Sequence, residues 1–405
     1  MKKIYLISIL FLILFIISSC SVNANEPQDN DSGMIPEDNP VQPPDNEIIS
    51  KAEKLLKSMT LKEKIGQMLL VQPESLQNSS SEQADEYKYN IVEFSSQIDE
   101  VIKNYPVGGI IFFAGNIKSP SQLIDFIDKL QQSSKIPLFI STDEEGGKVS
   151  RIANSPEFDV QKFESMQAIG NTKDAEKAFE VGSVIGAYMK QYNFNLNFAP
   201  VADVYTNPNN TVIGDRAFGD DPNLVAEMLV AEIEGLHKSG IMSCIKHFPG
   251  HGDTKGDTHN GFVSIEKNWE ELEKCELIPF KAGIDAQTDM VMISHITAPN
   301  ITDDGLPSTL SYEMIEDKLR KGLDYKGVII TDSMSMGAIT ERYSSGEAAV
   351  LSISAGADIV LMPENFIEAF DSIYEAVNNA VLSEERINES VLRILSLKEK
   401  YGLIE

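Results

Sequence analysis

Cysteine is scarce in this chain of 405 residues, which has only three. Cys20 lies at the end of an N-terminal apolar segment, which leaves Cys244 and Cys275 for the rest of the chain. One bridge between these two is possible in an oxidising compartment. Cys244, however, lies in an apolar run and is more typical of a small buried hydrophobic residue. The cysteine content therefore excludes a disulfide scaffold.

Positive charge is also in short supply. The chain has 34 Lys and Arg against 62 Asp and Glu, which gives a formal net charge of −28. Such an excess of negative charge disfavours nucleic acids and anionic lipids as binding partners. It places no restriction on neutral ligands such as sugars. We therefore expect no nucleic-acid partner.

A glycine-rich phosphate-binding loop is missing after the first apolar run, where a doubly wound nucleotide-binding fold usually has one. From residue 50 onward, short apolar runs alternate with longer amphipathic stretches, the pattern of strand–helix units around a parallel sheet. Eight runs are predicted strands: Gly66–Val71, Gly109–Phe113, Leu138–Thr142, Leu196–Val201, Met242–Lys246, Met290–Ser294, Val328–Thr331 and Ile359–Met362. The predicted helices include Gln122–Gln132, Ala175–Lys190, Leu224–Lys238, Trp269–Ala286, Tyr312–Lys321 and a closing helix over Glu384–Tyr401. Eight units predict an α/β fold, a closed (β/α)8 TIM-type barrel that forms a single catalytic domain.

The N-terminus has the pattern of a bacterial secretion signal. Lys2 and Lys3 precede the uncharged apolar stretch Ile4–Ile17, which is shorter than the roughly 20 residues that a membrane-spanning helix needs. The segment Ile17-Ser18-Ser19-Cys20 resembles a lipobox. That resemblance implies that Cys20 is lipidated and anchors the mature protein to the bacterial cell membrane through acyl chains. An uncleaved anchor helix is the alternative, and in both cases the folded part lies outside the cytoplasm.

Residues 21–49 are rich in Asn, Asp, Glu, Pro and Gln and contain almost no large apolar side chains. Such a segment cannot bury enough apolar surface to order itself. We expect an extended tether between the membrane and the folded part, with a proline-rich ligand for a partner protein as the alternative. The predicted organisation is a signal peptide over residues 1–20, a disordered acidic and proline-rich tether over residues 21–49, and the catalytic domain over residues 50–405.

Polar residues follow five of the predicted strands: Asp143, Asp203, His247, His295 and Asp332. Each one alone could be a helix cap or a turn residue, because Asp is favoured at N-caps. The carboxyl ends of parallel strands, however, meet at one face of a barrel, where active sites are assembled. Five polar strand ends on one face therefore predict a functional site.

Three of the five histidines lie within residues 246–259, immediately after the fifth predicted strand. Carboxylates combined with histidines are typical of hydrolysis, either by acid/base and covalent catalysis or with a metal ion. A zinc site would use His247, His251 and His259, with Asp257. The glycines and the proline of this loop prevent the helical arrangement that an HExxH zinc motif requires. We therefore expect no metal and no other cofactor.

A retaining glycosidase gives each of these residues a task. It needs a carboxylate nucleophile on one side of the anomeric carbon and a proton donor on the other. Asp332 directly follows a fully apolar strand and is well placed to be the nucleophile, although it could instead cap the following helix. Asp257 and His259 are two residues apart, so an extended loop would point both side chains the same way. The carboxylate would then stabilise the protonated imidazole and fix its tautomer.

Several segments resemble glycoside hydrolase family 3, in its β-N-acetylglucosaminidase branch. They are Lys246-His247-Phe248-Pro249-Gly250-His251-Gly252 with Asp257-Thr258-His259, Asp143-Glu144-Glu145-Gly146-Gly147-Lys148-Val149-Ser150-Arg151, Asn197-Phe198-Ala199-Pro200-Val201-Ala202-Asp203-Val204, Ile213-Gly214-Asp215-Arg216-Ala217-Phe218, and Val328-Ile329-Ile330-Thr331-Asp332-Ser333-Met334. Lys148 departs from the pattern, which often has Arg there. The related β-glucosidase branch takes its acid/base from a second domain, so the Asp-Thr-His element favours the N-acetylhexosaminidase branch.

The resemblance implies that Asp332 is the nucleophile, His259 the acid/base and Asp257 its partner. It further implies that the substrate is bound by Asp143, Arg151, Arg216, Lys246 and His247. The expected function is the removal of terminal non-reducing β-N-acetylglucosamine, from peptidoglycan fragments outside the cell, by a monomer. A histidine acid/base also removes an anion from the side where the acceptor enters, so phosphorolysis is a further hypothesis beside hydrolysis. The alternative is a sugar-binding lipoprotein without turnover, which the intact Asp332, Asp257 and His259 disfavour.

Overall fold

Eight parallel strands form the centre of the protein in a computed structural model, which describes residues 50–77, 90–255 and 263–404. The strands are β1 Leu69–Val71, β2 Gly109–Ile111, β3 Phe139–Thr142, β4 Leu196–Asn197, β5 Met242–Phe248, β6 Met290–Ile293, β7 Val328–Thr331 and β8 Val360–Leu361. Each strand from β1 to β6 pairs in parallel with the next one in the chain, and β8 returns to pair in parallel with β1. A bridge between Ile330 and Ile359 joins β7 to the residue before β8 and nearly closes the sheet. The predicted (β/α)8 barrel is thus confirmed, with a strand in each of the eight predicted runs.

Helices surround this sheet and bury their apolar faces against it. They are α1 Lys51–Ser58, α2 Leu61–Gln67, α3 Ser96–Asn104, α4 Pro120–Ser133, α5 Met166–Asn171, α6 Ala175–Gln191, α7 Pro222–Lys238, α8 Trp269–Glu273, α9 Leu277–Asp285, α10 Gly337–Thr340, α11 Ser345–Ala355, α12 Phe366–Asn378 and α13 Glu384–Lys400. Local sequence sets their first turns. Ser119, for example, caps α4 by accepting from the Gln122 backbone N–H, and Pro120 occupies the first turn, where its missing N–H costs nothing.

Three predicted elements differ from the structure. Gly66 and Gln67, expected in the first strand, belong to α2, which a capping box between Thr60 and Glu63 begins. The single helix predicted over Trp269–Ala286 is two helices, because Pro279 is compatible only with the first turn of a helix and so forces a new start. The predicted helix Tyr312–Lys321 is a wide-turned π-helix over Glu313–Gly322.

Four short strands lie outside the barrel, in the loops after its strands. Glu144–Gly146 pairs antiparallel with Val149–Ser150, and Val263–Ser264 pairs in parallel with Ile296–Thr297. The first pair folds the loop after β3 back on itself, and the second joins the loops after β5 and β6. The extra length of the chain over a minimal barrel is therefore used partly at the face where active sites are built.

The N-terminal predictions concern residues without a described structure. The predicted signal peptide, the tether and Cys20 all lie outside the described residues, so these boundaries stay predictions. Within residues 50–77, 90–255 and 263–404, every helix is too short or too polar to cross a bilayer.

Candidate active site

A cavity of about 460 Å³ lies at the carboxyl ends of the strands. All six predicted site residues within the described part of the chain line it: Asp143, Arg151, Arg216, Lys246, His247 and Asp332. The barrel therefore brings together residues that are up to 189 positions apart in sequence, from Asp143 to Asp332. The predicted pair Asp257 and His259 lies outside the described residues, and its position stays a prediction.

The five polar strand ends fall into two groups. Asp143, His247 and Asp332 line the cavity. Asp203 and His295 are fully buried and lie behind it, where they hydrogen-bond to residues that line the cavity. The expectation of one face is thus met, but two of the five residues support the site from behind.

Lys246 is the centre of a buried charge cluster. Its Nζ donates to Asp143 Oδ1 at 2.7 Å and lies 2.6 Å from Glu145 Oε1. Arg216 reaches the same Glu145 with two parallel bonds, Nε to Oε2 at 2.8 Å and Nη2 to Oε1 at 2.7 Å. Such a bidentate pair fixes the guanidinium plane as well as its position. The cluster holds two cationic side chains in fixed orientations at the wall of the cavity.

Glu145 was not among the predicted site residues, although it is 1% exposed and joins two of them. Its signal in the sequence is its spacing from Asp143, because alternate residues of an extended segment face the same way. Glu144, between them, faces away and accepts from the backbone N–H groups of Arg151, Ile152 and Ala153. Glu144 therefore holds the loop that carries Arg151.

The charges of this cluster stabilise one another. Burial alone would raise the pKa of the Glu145 carboxyl, but Arg216 and Lys246 outweigh this and hold that pKa well below its usual range. Burial would likewise lower the pKa of Lys246, yet Asp143 and Glu145 raise it. Both side chains are thus charged at neutral pH, and Lys246 is a hydrogen-bond donor to whatever enters the cavity.

Arg151 is less constrained than the other cations. Its Nη2 lies 3.7 Å from Asp143 Oδ2, and its guanidinium lies 5.7 Å from the centre of the Phe113 ring. Its Nε has no hydrogen-bond partner within the described part of the chain. Donor capacity at the cavity wall is therefore left for a ligand.

A single carboxylate, Asp203, holds the loop that follows β5. Its Oδ2 lies 2.7 Å from His247 Nδ1, and its Oδ1 accepts from the backbone N–H of His251 at 2.6 Å. An ionised carboxylate only accepts hydrogen bonds, so the proton of His247 lies on Nδ1 and the Nε2 atom is left to interact with a ligand. Asp203 thus sets both the tautomer of a cavity residue and the course of the loop.

His251, which was not among the predicted substrate-binding residues, also lines the cavity. Its Nδ1 lies 2.7 Å from Thr254 Oγ1, and its carbonyl accepts from Asn210 Nδ2 at 2.7 Å. Its Nε2 has no partner among the described residues. Burial lowers the pKa of His251, so the ring is neutral at pH 7.

The glycines of this loop are required by close packing. A Cβ at Gly252 would lie 1.9 Å from the Val204 carbonyl oxygen, and Gly250 has a φ of +129° with Glu276 side-chain atoms 2.8 Å from its missing Cβ. No other residue could occupy position 252 without moving the backbone. In residues 247–255, these glycines fix the loop against the barrel.

Asp332 directly follows β7. Its backbone N–H donates to the Ile293 carbonyl at 2.7 Å, and its Oδ1 accepts from the Ser333 N–H at 2.7 Å. Its Oδ2 has no hydrogen-bond donor among the residues that the structure describes. The alternative role of helix cap does not apply, because α10 begins after Met336 and has no side-chain cap. One oxygen of a cavity-lining carboxylate is thus available for chemistry.

The electrostatic surroundings keep this carboxylate ionised. Burial alone would raise the pKa of Asp332, but His295, His247, Lys246 and the Ser333 N–H together lower it. An ionised carboxylate with one uncommitted oxygen is what a covalent glycosidase mechanism requires.

The zinc alternative gains no support from the described part of the chain. No group of three or more His, Cys, Asp or Glu side chains in residues 50–77, 90–255 and 263–404 is arranged to hold a metal ion. The Nδ1 atoms of His247 and His251 are already engaged by Asp203 and Thr254. Two of the four proposed ligands, Asp257 and His259, lie outside the described residues.

The order of these segments along the chain matches a known family. The model of the glycosyl hydrolase family 3 N-terminal domain matches residues 60–397, which include β1–β8 and every lining residue named above. The chain belongs to glycosyl hydrolase family 3. The predicted family is thereby confirmed, and with it the predicted class of glycoside hydrolase.

Named relatives support one branch of this family. The chain is 30% identical over 370 residues to beta-hexosaminidase A of Pseudoalteromonas piscicida, which covers 84% of this chain and 61% of that protein. It is 32% identical over 317 residues to the beta-hexosaminidase of Nitrosomonas eutropha, which covers 75% of this chain and 89% of the relative. Among solved structures, a family 3 β-N-acetylglucosaminidase from Paenibacillus sp. FPU-7 superposes with a TM-score of 0.78 at 36% identity, over 85% of this chain and 63% of that one. The chain thus spans less than two thirds of two of these three proteins.

Proposed function

We propose that this protein is a retaining β-N-acetylhexosaminidase that hydrolyses terminal non-reducing β-N-acetylglucosamine. The observation that carries the proposal is the ionised, cavity-lining Asp332 with one oxygen uncommitted among the described residues, in the same cavity as the Lys246 cluster. The names of the relatives support the choice of the N-acetyl sugar.

The proposed reaction has two steps. In the first, Asp332 Oδ2 attacks the anomeric carbon, the glycosidic bond breaks, and His259 gives its proton to the leaving oxygen. In the second, His259 takes a proton from water, the water oxygen attacks the anomeric carbon, and the bond to Asp332 breaks. Asp257 is proposed to stabilise the protonated His259.

The cations of the cavity are proposed to bind the sugar. Lys246 and Arg216 donate from fixed positions, Arg151 has uncommitted N–H groups, and Asp143 can accept from a hydroxyl. His247, with its proton on Nδ1, presents Nε2 as an acceptor when the ring is neutral. A site with both donors and acceptors discriminates strongly against a sugar that lacks the matching groups.

The proposal extends to location and to the natural substrate. We propose that Cys20 carries the lipid, that residues 21–49 hold the catalytic domain away from the bacterial membrane, and that the substrates are peptidoglycan fragments outside the cell. The signal-like composition of residues 1–20 supports the first part. Mass spectrometry of membrane-extracted protein should show a diacyl or triacyl modification on Cys20 that is lost in Cys20→Ala.

The first experiment compares the hydrolysis of an aryl β-N-acetylglucosaminide with that of the matching aryl β-glucoside by the full chain. Parallel samples contain EDTA or added phosphate. A strong preference for the N-acetyl sugar that EDTA does not reduce would support the proposal. Identical rates and products with and without phosphate would dismiss phosphorolysis, whereas a glycosyl phosphate product would establish it.

Other outcomes of the same experiment point to the rival functions. Loss of turnover with EDTA would favour a metal hydrolase. Binding of N-acetylglucosamine without turnover of either substrate would favour a sugar-binding lipoprotein. A preference for the glucoside would overturn the assignment to the N-acetylhexosaminidase branch.

A further inference from the structure

His295 is a buried histidine whose position next to Asp332 is not explained by substrate binding. It follows β6, the neighbour of β7 in the barrel, is fully buried and is not among the residues that line the cavity. In the sequence it is a polar strand end without a predicted task. Burying an imidazole is costly unless its nitrogens are hydrogen-bonded.

Both ring nitrogens of His295 have partners. Nε2 lies 2.8 Å from the carbonyl oxygen of Ser333, and Nδ1 lies 2.8 Å from Thr309 Oγ1. Because a carbonyl oxygen only accepts, Nε2 carries a proton and donates it to Ser333. The Thr309 hydroxyl then fixes the plane of the ring from its other side.

The residue that accepts this bond is the one directly after Asp332. Ser333 is thereby held at both ends, since its N–H donates to Asp332 Oδ1 at 2.7 Å and its carbonyl accepts from His295. Asp332 itself is tied through its own N–H to Ile293, in the strand that precedes His295. Asp332 is thus held through its own N–H by β6, and through the Ser333 N–H by a peptide that His295 keeps in place.

We infer that His295 is a positioning residue for Asp332: it fixes the Ser333 peptide, and through the Ser333 N–H it leaves Oδ2, and not Oδ1, as the attacking oxygen. This inference rests on the proposed role of Asp332 as nucleophile. The electrostatic effect of His295 agrees with it, since burial raises the pKa of Asp332 and His295 opposes this. The other groups that act in the same sense, His247 and Lys246, lie on β5.

The central experiment compares His295→Gln with His295→Leu in the full chain. A glutamine amide reaches about as far as Nε2 and can still donate to Ser333, whereas leucine fills the space without a donor. We expect His295→Leu to lower kcat on the aryl N-acetylglucosaminide by about 10- to 100-fold with little change in KM, because a misplaced reacting group can cost about that much. His295→Gln should recover most of the loss.

Thr309→Val provides a second, milder variant. It removes the hydroxyl that orients the ring and keeps the shape of the side chain, so kcat should fall by about 3- to 10-fold, an order below the loss from misplacing the reacting group itself. In the His295→Leu background, the same change should have no further effect on kcat, because the ring that it orients is gone. If His295→Leu fails to fold, Thr309→Val alone decides. A wild-type kcat there would overturn the inference.

The readouts separate positioning from a general loss of structure. The burst of aryl alcohol before steady state reports the attack of Asp332, and it should be slower in His295→Leu while thermal unfolding still shows a folded protein. Equal losses in His295→Gln and His295→Leu would overturn the route through Ser333. A raised KM with an unchanged burst rate would overturn it as well.

An Asp332→Ala control separates this inference from the proposed function. If wild-type protein does not turn over the N-acetyl sugar, or if Asp332→Ala keeps its activity, the proposed function fails first. If the wild-type protein is active, Asp332→Ala is inactive and both His295 variants behave as wild type, only the positioning role of His295 fails.

Discussion

Both ends of the barrel hold carboxylates, but these carboxylates differ in the number of hydrogen bonds that they accept. At the amino end, Asp289 accepts from His237, the Ser243 N–H, Lys400 and Tyr401, at 2.7 to 3.0 Å. At the carboxyl end, Asp332 accepts from one backbone N–H. The difference shows where a carboxylate serves the fold and where it is kept for a ligand.

A second carboxylate at the amino end also accepts several hydrogen bonds. Asp358 accepts from Arg320, Arg393, Ser390 and the Ile329 N–H, with distances from 2.6 to 2.9 Å. At the carboxyl end, by contrast, His251 Nε2 and Arg151 Nε have no partner in the described part of the chain. A buried polar group without a partner costs folding free energy. A ligand in the cavity can satisfy the two groups at the carboxyl end, whereas Arg320 Nε at the amino end, also without a partner among the described residues, has no cavity ligand to meet.

The largest expected effect is at the carboxyl end of the barrel, where a substitution should remove catalysis without loss of stability. Asp332→Asn should lower kcat on the aryl N-acetylglucosaminide by about 10⁴-fold or more, because the amide cannot form the covalent intermediate. Thermal unfolding should stay close to that of the wild type, since asparagine keeps the shape and its Oδ1 can still accept from the Ser333 N–H. A variant that keeps 1% of the wild-type kcat, or one that unfolds well below the wild-type temperature, would contradict the view that Asp332 serves catalysis and not stability.

At the amino end, a substitution should lower stability without loss of catalysis. Asp358→Ala leaves the buried Arg320 without its carboxylate, and breaking such a pair costs about 3–5 kcal/mol. Urea unfolding should show this loss, while kcat per folded molecule stays within about 2-fold of wild type, because no atom at the carboxyl end has changed. Asp125→Ala is the matched control. It breaks the exposed pair with Lys129, and the loss should be about 0.5 kcal/mol or less.

Some features of the fold and of the site could be predicted from the sequence, because a short segment carries the signal for them. Strands and cavity residues carry local signals, since an apolar run followed by Asp332 or Lys246-His247 is visible in a short window. The helix break at Pro279 had such a signal as well, in a proline that cannot continue a helix. The fold and the face of the cavity were therefore predictable from local signals, whereas Arg151 and Arg216 were assigned only through the family resemblance.

Supporting residues carry no such local signal. Glu145 meets Arg216 across 71 positions of sequence, and Asp203 meets His247 across 44. Their partners depend on the order and the register of the barrel strands, which the apolar runs alone do not specify. The residues that position the site are for this reason the ones that sequence reasoning left without a task.

A smaller loss of activity is expected from a change at Asp203, which lies at the carboxyl end but has hydrogen-bond partners on both carboxylate oxygens. Asp203→Asn keeps the shape but can place an amide donor against the Nδ1 proton of His247, which favours the wrong tautomer. We expect kcat/KM to fall by about 10- to 100-fold, less than the loss of the nucleophile itself. The nitrogen chemical shifts of His247 should report the tautomer change.

Asp253→Asn is the matched control for this variant. It is the same isosteric change in the same loop, at a side chain that is one-third exposed and pairs with Lys267 at 3.3 Å. Its kcat/KM should stay within about 2-fold of wild type, as for a surface change away from the site. Equal losses in the two variants would show that the loop as a whole, and not the tautomer of His247, determines activity.

The smallest effect concerns Glu232 of α7, a fully buried carboxyl whose two oxygens have no partner among the described residues. Burial, with a further contribution from the charge of Glu145, raises its pKa to about 8 from 4.5. Between these two values the folded state keeps a proton that the unfolded state has lost, so stability falls as pH rises from about 4.5 to 8. Glu232→Gln cannot titrate and should lack this slope.

Urea unfolding at pH 5, 6, 7 and 8 measures this difference between wild type and Glu232→Gln. One unit of pKa difference corresponds to about 1.4 kcal/mol, and after allowance for structural relaxation we expect the variant to gain about 1–2 kcal/mol on wild type over this range. Glu227→Gln, an exposed position on the same helix, should leave the pH dependence unchanged. If the curves of Glu232→Gln and wild type run parallel, the Glu232 carboxyl does not take up a proton on folding, and its raised pKa is contradicted.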